Sequence, residues 1–127
     1  PSLSHKDVQA LEIAQEIGIK NFCLSFVDGA DDVRVFRNYH PDSFVLSKVE
    51  TSLAIENLEE IIEVSDGVLI DRGDLSRQVP LERIPFAQKY VINQANLASK
   101  PVLVATNFLD KADRPVELRQ TILSTHY

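Results

Sequence analysis

The chain has 127 residues, with 13 lysines and arginines against 19 aspartates and glutamates, a formal net charge of −6 at pH 7. This length suits one domain, and 44% apolar with 25% charged residues excludes a largely disordered chain. The acidic balance argues against a nucleic-acid groove or an anionic membrane surface as partner, and no apolar run approaches the roughly 18 residues of a membrane-spanning helix.

The single cysteine, Cys23, permits no internal disulfide, and no Asn-x-Ser/Thr acceptor is present; both fit a reducing cytoplasm. Cys23 sits in an apolar run and reads as a core residue. A start at Pro1 without an initiator methionine reads as a single domain segment, residues 1–127, of a longer chain.

Two periods alternate along the chain. Ser4-His5-Lys6-Asp7 has the form of a capping box, and Val8, Leu11 and Ala14 follow at helical spacing until Gly18. Residues 21–27 are a short apolar run with aromatics, the pattern of a buried strand. Val33 and Phe36 mark a short helix that His40-Pro41-Asp42 breaks, and residues 44–49 form the second strand. Thr51 or Ser52 caps a third helix carrying Ala54, Ile55, Leu58, Ile61 and Ile62 on one face. Asp66-Gly67 turns into a third strand over residues 68–70, followed by a polar loop. Pro85 opens a long helix with Ala87, Val91 and Ala95 in register, which Lys100-Pro101 ends. Residues 102–105 are the fourth strand, and a weaker helix is expected over residues 115–127.

Four short strands that are apolar throughout, each followed by a helix, indicate an α/β protein with a parallel sheet. Two closures fit: a small open doubly wound sheet, or half of a TIM barrel, which needs eight strands and about 250 residues. In either case functional groups collect at the carboxyl ends of the strands.

Three of those ends carry unusual polar groups. Lys48 and Glu50 are two apart and so share one face of the second strand. They fit a site with a cation and a carboxylate, or a plain ion pair at a strand end. After the third strand, Gly73 would let the backbone approach an anion and Asp74 could hold a metal, while Gly-Asp is also ordinary turn chemistry. Thr106 offers a hydroxyl at the fourth strand end, or is a simple β-branched strand residue. Glu50 and Asp74 on adjacent strands could together hold one Mg²⁺ or Mn²⁺, with Lys48 neutralising charge on a substrate oxygen. His5, His40 and His126 read as solvated. No Cys/His cluster has zinc spacing and no Walker loop or dinucleotide fingerprint is present.

In combination these residues resemble the catalytic barrel of the pyruvate kinase family, at its fourth to seventh strands. The resemblance rests on Pro1-Ser2-Leu3-Ser4-His5-Lys6-Asp7, Leu24-Ser25-Phe26-Val27, Ser47-Lys48-Val49-Glu50, Ser65-Asp66-Gly67-Val68-Leu69-Ile70, Arg72-Gly73-Asp74-Leu75, Pro80-Leu81-Glu82, Ala87-Gln88-Lys89 and residues 100–106, in family order. It implies a partial (βα)8 TIM barrel of about four parallel βα units. It also implies phosphoryl transfer between phosphoenolpyruvate and ADP, giving pyruvate and ATP.

By that resemblance Lys48 stabilises the phosphoryl group and enolate oxygen, and Glu50 and Asp74 hold Mg²⁺ or Mn²⁺. The backbone at Arg72, Gly73 and Asp74 receives the substrate carboxylate, and Thr106 lies near the enolate carbon. The family's K⁺ ligands, its nucleotide site and the remaining barrel strands fall outside this chain. The isolated chain is accordingly expected to be inactive, and to associate with copies of itself or with the remainder of its parent protein.

The sequence departs from the family pattern at Asp71, where alanine is usual, and at Thr51, Ser76 and Asn107-Phe108. Two alternatives stand beside this reading. One is a metal-dependent aldolase or lyase of the wider phosphoenolpyruvate/pyruvate barrels. The other is a degenerate non-catalytic binding or assembly module.

Overall fold

The computed structural model describes residues 5–105. Ser4, Thr106, His126 and the helix expected over residues 115–127 lie outside the described residues, as do the side chains of Val8 and Leu11. Among the described residues no helix is long and apolar enough to cross a membrane.

The elements run α1 (His5–Glu16), β1 (Asn21–Leu24), α2 (Ala30–Tyr39), β2 (Phe44–Val49), α3 (Ser52–Glu56), α4 (Leu58–Val64), β3 (Gly67–Asp71), α5 (Arg72–Leu75), α6 (Ile84–Leu97) and β4 (Val102–Ala105). The strands form one parallel sheet in the order β1-β2-β3-β4. Cys23 pairs with Leu46, Lys48 with Leu69, and Asp71 with Ala105.

Alternation along the strands gives the sheet two faces. Val45, Val49, Val68 and Ile70 point to one face, where they meet Val33 and Phe36 of α2, Leu58 and Ile61 of α4, and Val91 and Ala95 of α6. Burying a side chain of this size contributes about 1.5–3 kcal/mol each, before the entropy cost of ordering it. Leu46, Leu69, Leu103 and Ala105 point to the other face and form a separate small cluster. Because α2, α4 and α6 all cover the same face, the sheet is built like a barrel wall. A doubly wound sheet would carry helices on both faces.

The connections are braced by charge. The Arg37 guanidinium donates to the carbonyls of Ser43 and Val64 and to Asp66 Oδ2, and the same Asp66 oxygen accepts the Val45 N–H. Against the cost of burial, the Arg37 hydrogen bond, the Val45 amide and the Arg37 charge hold the Asp66 carboxyl below the ordinary aspartate range. Lys100 Nζ donates to the carbonyls of Ile62 and Glu63 at the end of α4. At Gly67, a Cβ would stand 2.8 Å from Leu46 Cδ2 and 2.9 Å from the Pro101 carbonyl, so only glycine fits this crossing.

The structure corrects the sequence reading in several places. β1 stops at Leu24, before the expected end at residue 27, and the chain then turns through Phe26 at φ 53°. The expected third helix is two helices, α3 and α4, divided at Asn57. The Asn57 side chain donates to the Asp28 carbonyl, drawing the break toward the preceding βα loop. Thr51 is the cap, its Oγ1 accepting the Ala54 N–H at 3.1 Å. The loop after β3 holds the helical turn α5 and a 3₁₀ turn at Leu81–Arg83.

His40 is buried. It closes α2, stacks on Phe36 and meets Phe22 at a tilt, with ring centroids 5.5 and 4.9 Å away. Cys23 is exposed, because it points to the face away from the helices on β1, which pairs only with β2 among the described residues.

Candidate functional site

The strand ends at β2 and β3 bring the predicted groups together. Lys48 and Glu50 share the face opposite the helices, as the two-residue period requires. Lys48 Nζ lies 3.1 Å from Glu50 Oε1. Glu50 follows β2 directly and is 1% exposed. Its Oε2 accepts the N–H of Phe26, a residue with positive φ, at 2.6 Å. The other oxygen, Oε1, is buried and has no well-directed hydrogen bond.

Burial pushes the Glu50 carboxyl above the ordinary glutamate range. The Phe26 amide and Lys48 oppose that shift, and the neighbouring Asp74 carboxyl adds to it. Burial alone would lower the Lys48 ammonium. Contact with Glu50 and the charges of Glu50 and Asp71 outweigh it and hold Lys48 above its ordinary value.

Asp74 lies in α5, and Asp71 caps that turn: Asp71 Oδ1 accepts the Asp74 N–H at 3.1 Å. Asp71 Oδ2 is 3.5 Å from Lys48 Nζ. One carboxylate oxygen each from Glu50, Asp71 and Asp74 lie within 4.8 Å of one another, a spacing that a single divalent ion could bridge. Gly73 stands beside the Asp71 carboxylate, 3.4 Å from the place of a Cβ. Arg72 is the first residue of α5, and its Nε is buried without a hydrogen-bond partner.

Of the residues singled out in the sequence, Lys48, Glu50, Arg72, Gly73 and Asp74 are therefore gathered at one corner, while Thr106 lies outside the described residues. The sequence reading placed no site role on Asp71. The two-residue period puts Asp71 on the face of Leu69, and the register of β3 against β2, which pairs Leu69 with Lys48, makes that the Lys48 face.

A parallel sheet with its helices on one face and an acidic, lysine-bearing corner at the strand ends defines a segment of an α/β barrel. The sequence profile of the pyruvate kinase barrel domain matches residues 1–122. Similar proteins include pyruvate kinase of Thermotoga maritima, 39% identical over 113 residues that cover 86% of this chain and 24% of the relative. Pyruvate kinase of Dictyostelium discoideum is 36% identical over 128 residues, 95% of this chain and 25% of the relative. Human pyruvate kinase PKLR is 40% identical over 114 residues, 87% of this chain and 20% of the relative. The chain belongs to the pyruvate kinase family. It spans about a quarter or less of the length of these relatives.

Proposed function

We propose that this segment supplies the metal and phosphoryl corner of a pyruvate kinase-type enzyme. The reaction is phosphoryl transfer between phosphoenolpyruvate and ADP in the cytoplasm, giving pyruvate and ATP. Phosphoryl transfer asks mainly for positioning and charge neutralisation. In this reading Glu50 and Asp74 hold one Mg²⁺ or Mn²⁺. Hard oxygen donors within 4.8 Å of one another, one of them buried without a good hydrogen bond, fit such an ion. The ion, when bound, supplies Lewis-acid stabilisation of substrate oxygens.

Lys48 faces the phosphoryl group and the enolate oxygen, where a fixed ammonium in a partly buried setting stabilises developing negative charge. The Phe26 amide holds Glu50 in place, and the α5 backbone at Arg72, Gly73 and Asp74 lies where the substrate carboxylate would approach. Thr106 is assigned the neighbourhood of the enolate carbon. The nucleotide and K⁺ are bound by parts of the protein beyond this segment, so the isolated chain binds the divalent ion without turning over.

The observation that carries the reading is the convergence of Lys48, Glu50 and Asp74 at adjacent strand ends. A coupled assay for pyruvate formation, on the longer protein that contains this segment, tests it. Transfer that depends on Mg²⁺ and is lost in Lys48→Ala supports the reading; transfer unaffected by Lys48→Ala removes it.

One observation favours a second reading, a non-catalytic member of the family. Lys48 already has Glu50 at 3.1 Å and Asp71 at 3.5 Å, which reduces its charge toward a substrate. No transfer in the longer protein, with divalent-ion binding intact, is the outcome that selects it.

A further inference from the structure

Phe26 has φ 53°, in the left-handed region, and is 51% exposed. That conformation is unfavourable for a residue with a side chain and persists only where the surroundings hold it. The half-exposed Phe26 ring packs too little to do so, and the next two residues supply the hold. Val27 is 2% exposed and packs in the core on the helix side of the sheet. Asp28 is hydrogen-bonded through its N–H, its carbonyl and its side chain. Its N–H donates to Asp32 Oδ2 in the first turn of α2 at 2.8 Å, and its carbonyl accepts the Asn57 side chain at 2.9 Å. Its Oδ1 accepts the Thr51 hydroxyl at 3.0 Å.

Thr51 follows Glu50 directly, so the loop after β1 and the end of β2 are joined twice. The Phe26 N–H donates to Glu50 Oε2, and the Thr51 hydroxyl donates to Asp28 Oδ1. Thr51 Oγ1 also accepts the Ala54 N–H, which anchors the second link in α3. We propose that Asp28 is a positioning residue of the corner. Its side chain, through Thr51, holds the loop after β1 so that the Phe26 amide stays on Glu50 Oε2 and Glu50 Oε1 stays beside Lys48, 3.1 Å away. Partners behind a ligating carboxylate fix its orientation, and a carboxylate freed at one oxygen rotates away from the geometry the site needs. The inference rests on the metal and phosphoryl corner proposed above and deepens it, while the hydrogen bond it concerns is measurable without metal.

The test uses the isotope-labelled 127-residue chain. Nuclear magnetic resonance in EDTA reads the scalar coupling across the hydrogen bond from the Phe26 amide nitrogen to the Glu50 carboxyl carbon. Electron paramagnetic resonance of the free ion reads Mn²⁺ affinity. The wild type is compared with Asp28→Ala, Asp28→Asn and Gln78→Ala, each checked for fold by circular dichroism. Asp28→Ala leaves the Thr51 cap on Ala54 in place, and Asp28→Asn removes the charge but keeps an oxygen for the Thr51 hydroxyl. Gln78→Ala is the structural control: it removes bonds to the Ser52 N–H and hydroxyl, 2.9 and 3.2 Å, in the same turn of α3. Thr51→Val removes the Asp28 link from its other end, so a fold lost in Asp28→Ala leaves that variant to decide. The expected result is a coupling at least halved in Asp28→Ala and Mn²⁺ affinity about fivefold weaker, the effect of one hydrogen bond. Asp28→Asn and Gln78→Ala should match the wild type in both. A coupling absent from the wild type, or unchanged in Asp28→Ala, overturns the inference. Equal losses in Asp28→Ala and Asp28→Asn overturn it in favour of a charge effect, and equal losses in Asp28→Ala and Gln78→Ala in favour of general loosening. A coupling that falls as expected, in a chain whose wild type binds no Mn²⁺, supports the positioning by Asp28 and removes the metal corner.

Discussion

The backbone N–H of Phe26 donates to Glu50 Oε2 at 2.6 Å, joining the loop after β1 to the end of β2. The contact holds one oxygen of a fully buried carboxylate and leaves the other facing Lys48 and the aspartates. Two substitutions separate its structural and electrostatic parts. Glu50→Gln keeps an oxygen for the Phe26 amide and removes the charge. The folded-state carboxyl is shifted up, so its contribution to stability is present at low pH and is lost as pH rises through the shifted value. At neutral pH in EDTA, Glu50→Gln should therefore melt at or above the wild-type temperature. Glu50→Ala strands the amide and should cost about 1–3 kcal/mol. Thermal denaturation followed by circular dichroism checks both.

Lys48 is the counter-charge for two carboxylates, and its side chain is 23% exposed. Lys48→Ala leaves them uncompensated and should destabilise the metal-free chain by about 2–4 kcal/mol. Saturating Mn²⁺ should restore most of that loss, since it replaces the missing charge. Urea denaturation with EDTA and with Mn²⁺ measures the difference. An equal loss under both conditions would make Lys48 a packing residue.

Away from the corner, the Arg37–Asp66 pair ties α2 to the start of β2 and the end of α4. The Asp66 carboxyl is held below its ordinary range, so its contribution is present above the ordinary aspartate pKa, about 3.9, and is lost as pH falls through the lowered value. Asp66→Asn should be less stable than wild type at pH 7, and the gap should narrow in acid. Melting temperatures from pH 7 down to about 3 test this; a gap independent of pH would assign the effect to the hydrogen bonds alone.

The strands were legible because each is a short, mostly apolar run between turn signals, although only β3 is buried on both faces, and Lys48 with Glu50 followed from the two-residue period. What was not legible depended on contacts between elements. His40 beside Pro41 has the look of a solvated turn, and it is Phe22, eighteen positions earlier on β1, that helps to bury it. The turn α5 has four residues, one of them glycine, too few for any period, and Asp71 caps it. Asp71 belongs to the corner through the register of β3 against β2, which a single strand cannot display. The expected role of Thr106 stays an expectation, since it lies outside the described residues.

The sheet geometry bears on assembly. Among the described residues β1 pairs only with β2 and β4 only with β3, and Leu81, Phe86 and Leu97 are more than 70% exposed. Unpaired strand edges and exposed apolar side chains promote association. The isolated 127-residue chain should form a dimer or higher oligomer at micromolar concentration. Sedimentation equilibrium giving a folded monomer of 14.3 kDa would contradict this.

The central claim is that Glu50 and Asp74 hold a divalent cation at the ends of β2 and β3. The most direct measurement is a Mn²⁺ titration of the wild-type chain and of the Glu50→Gln/Asp74→Asn double variant, read by the paramagnetic signal of the free ion. The account predicts saturable binding of one Mn²⁺ by the wild type and none by the folded double variant. Wild-type binding by the double variant would contradict it.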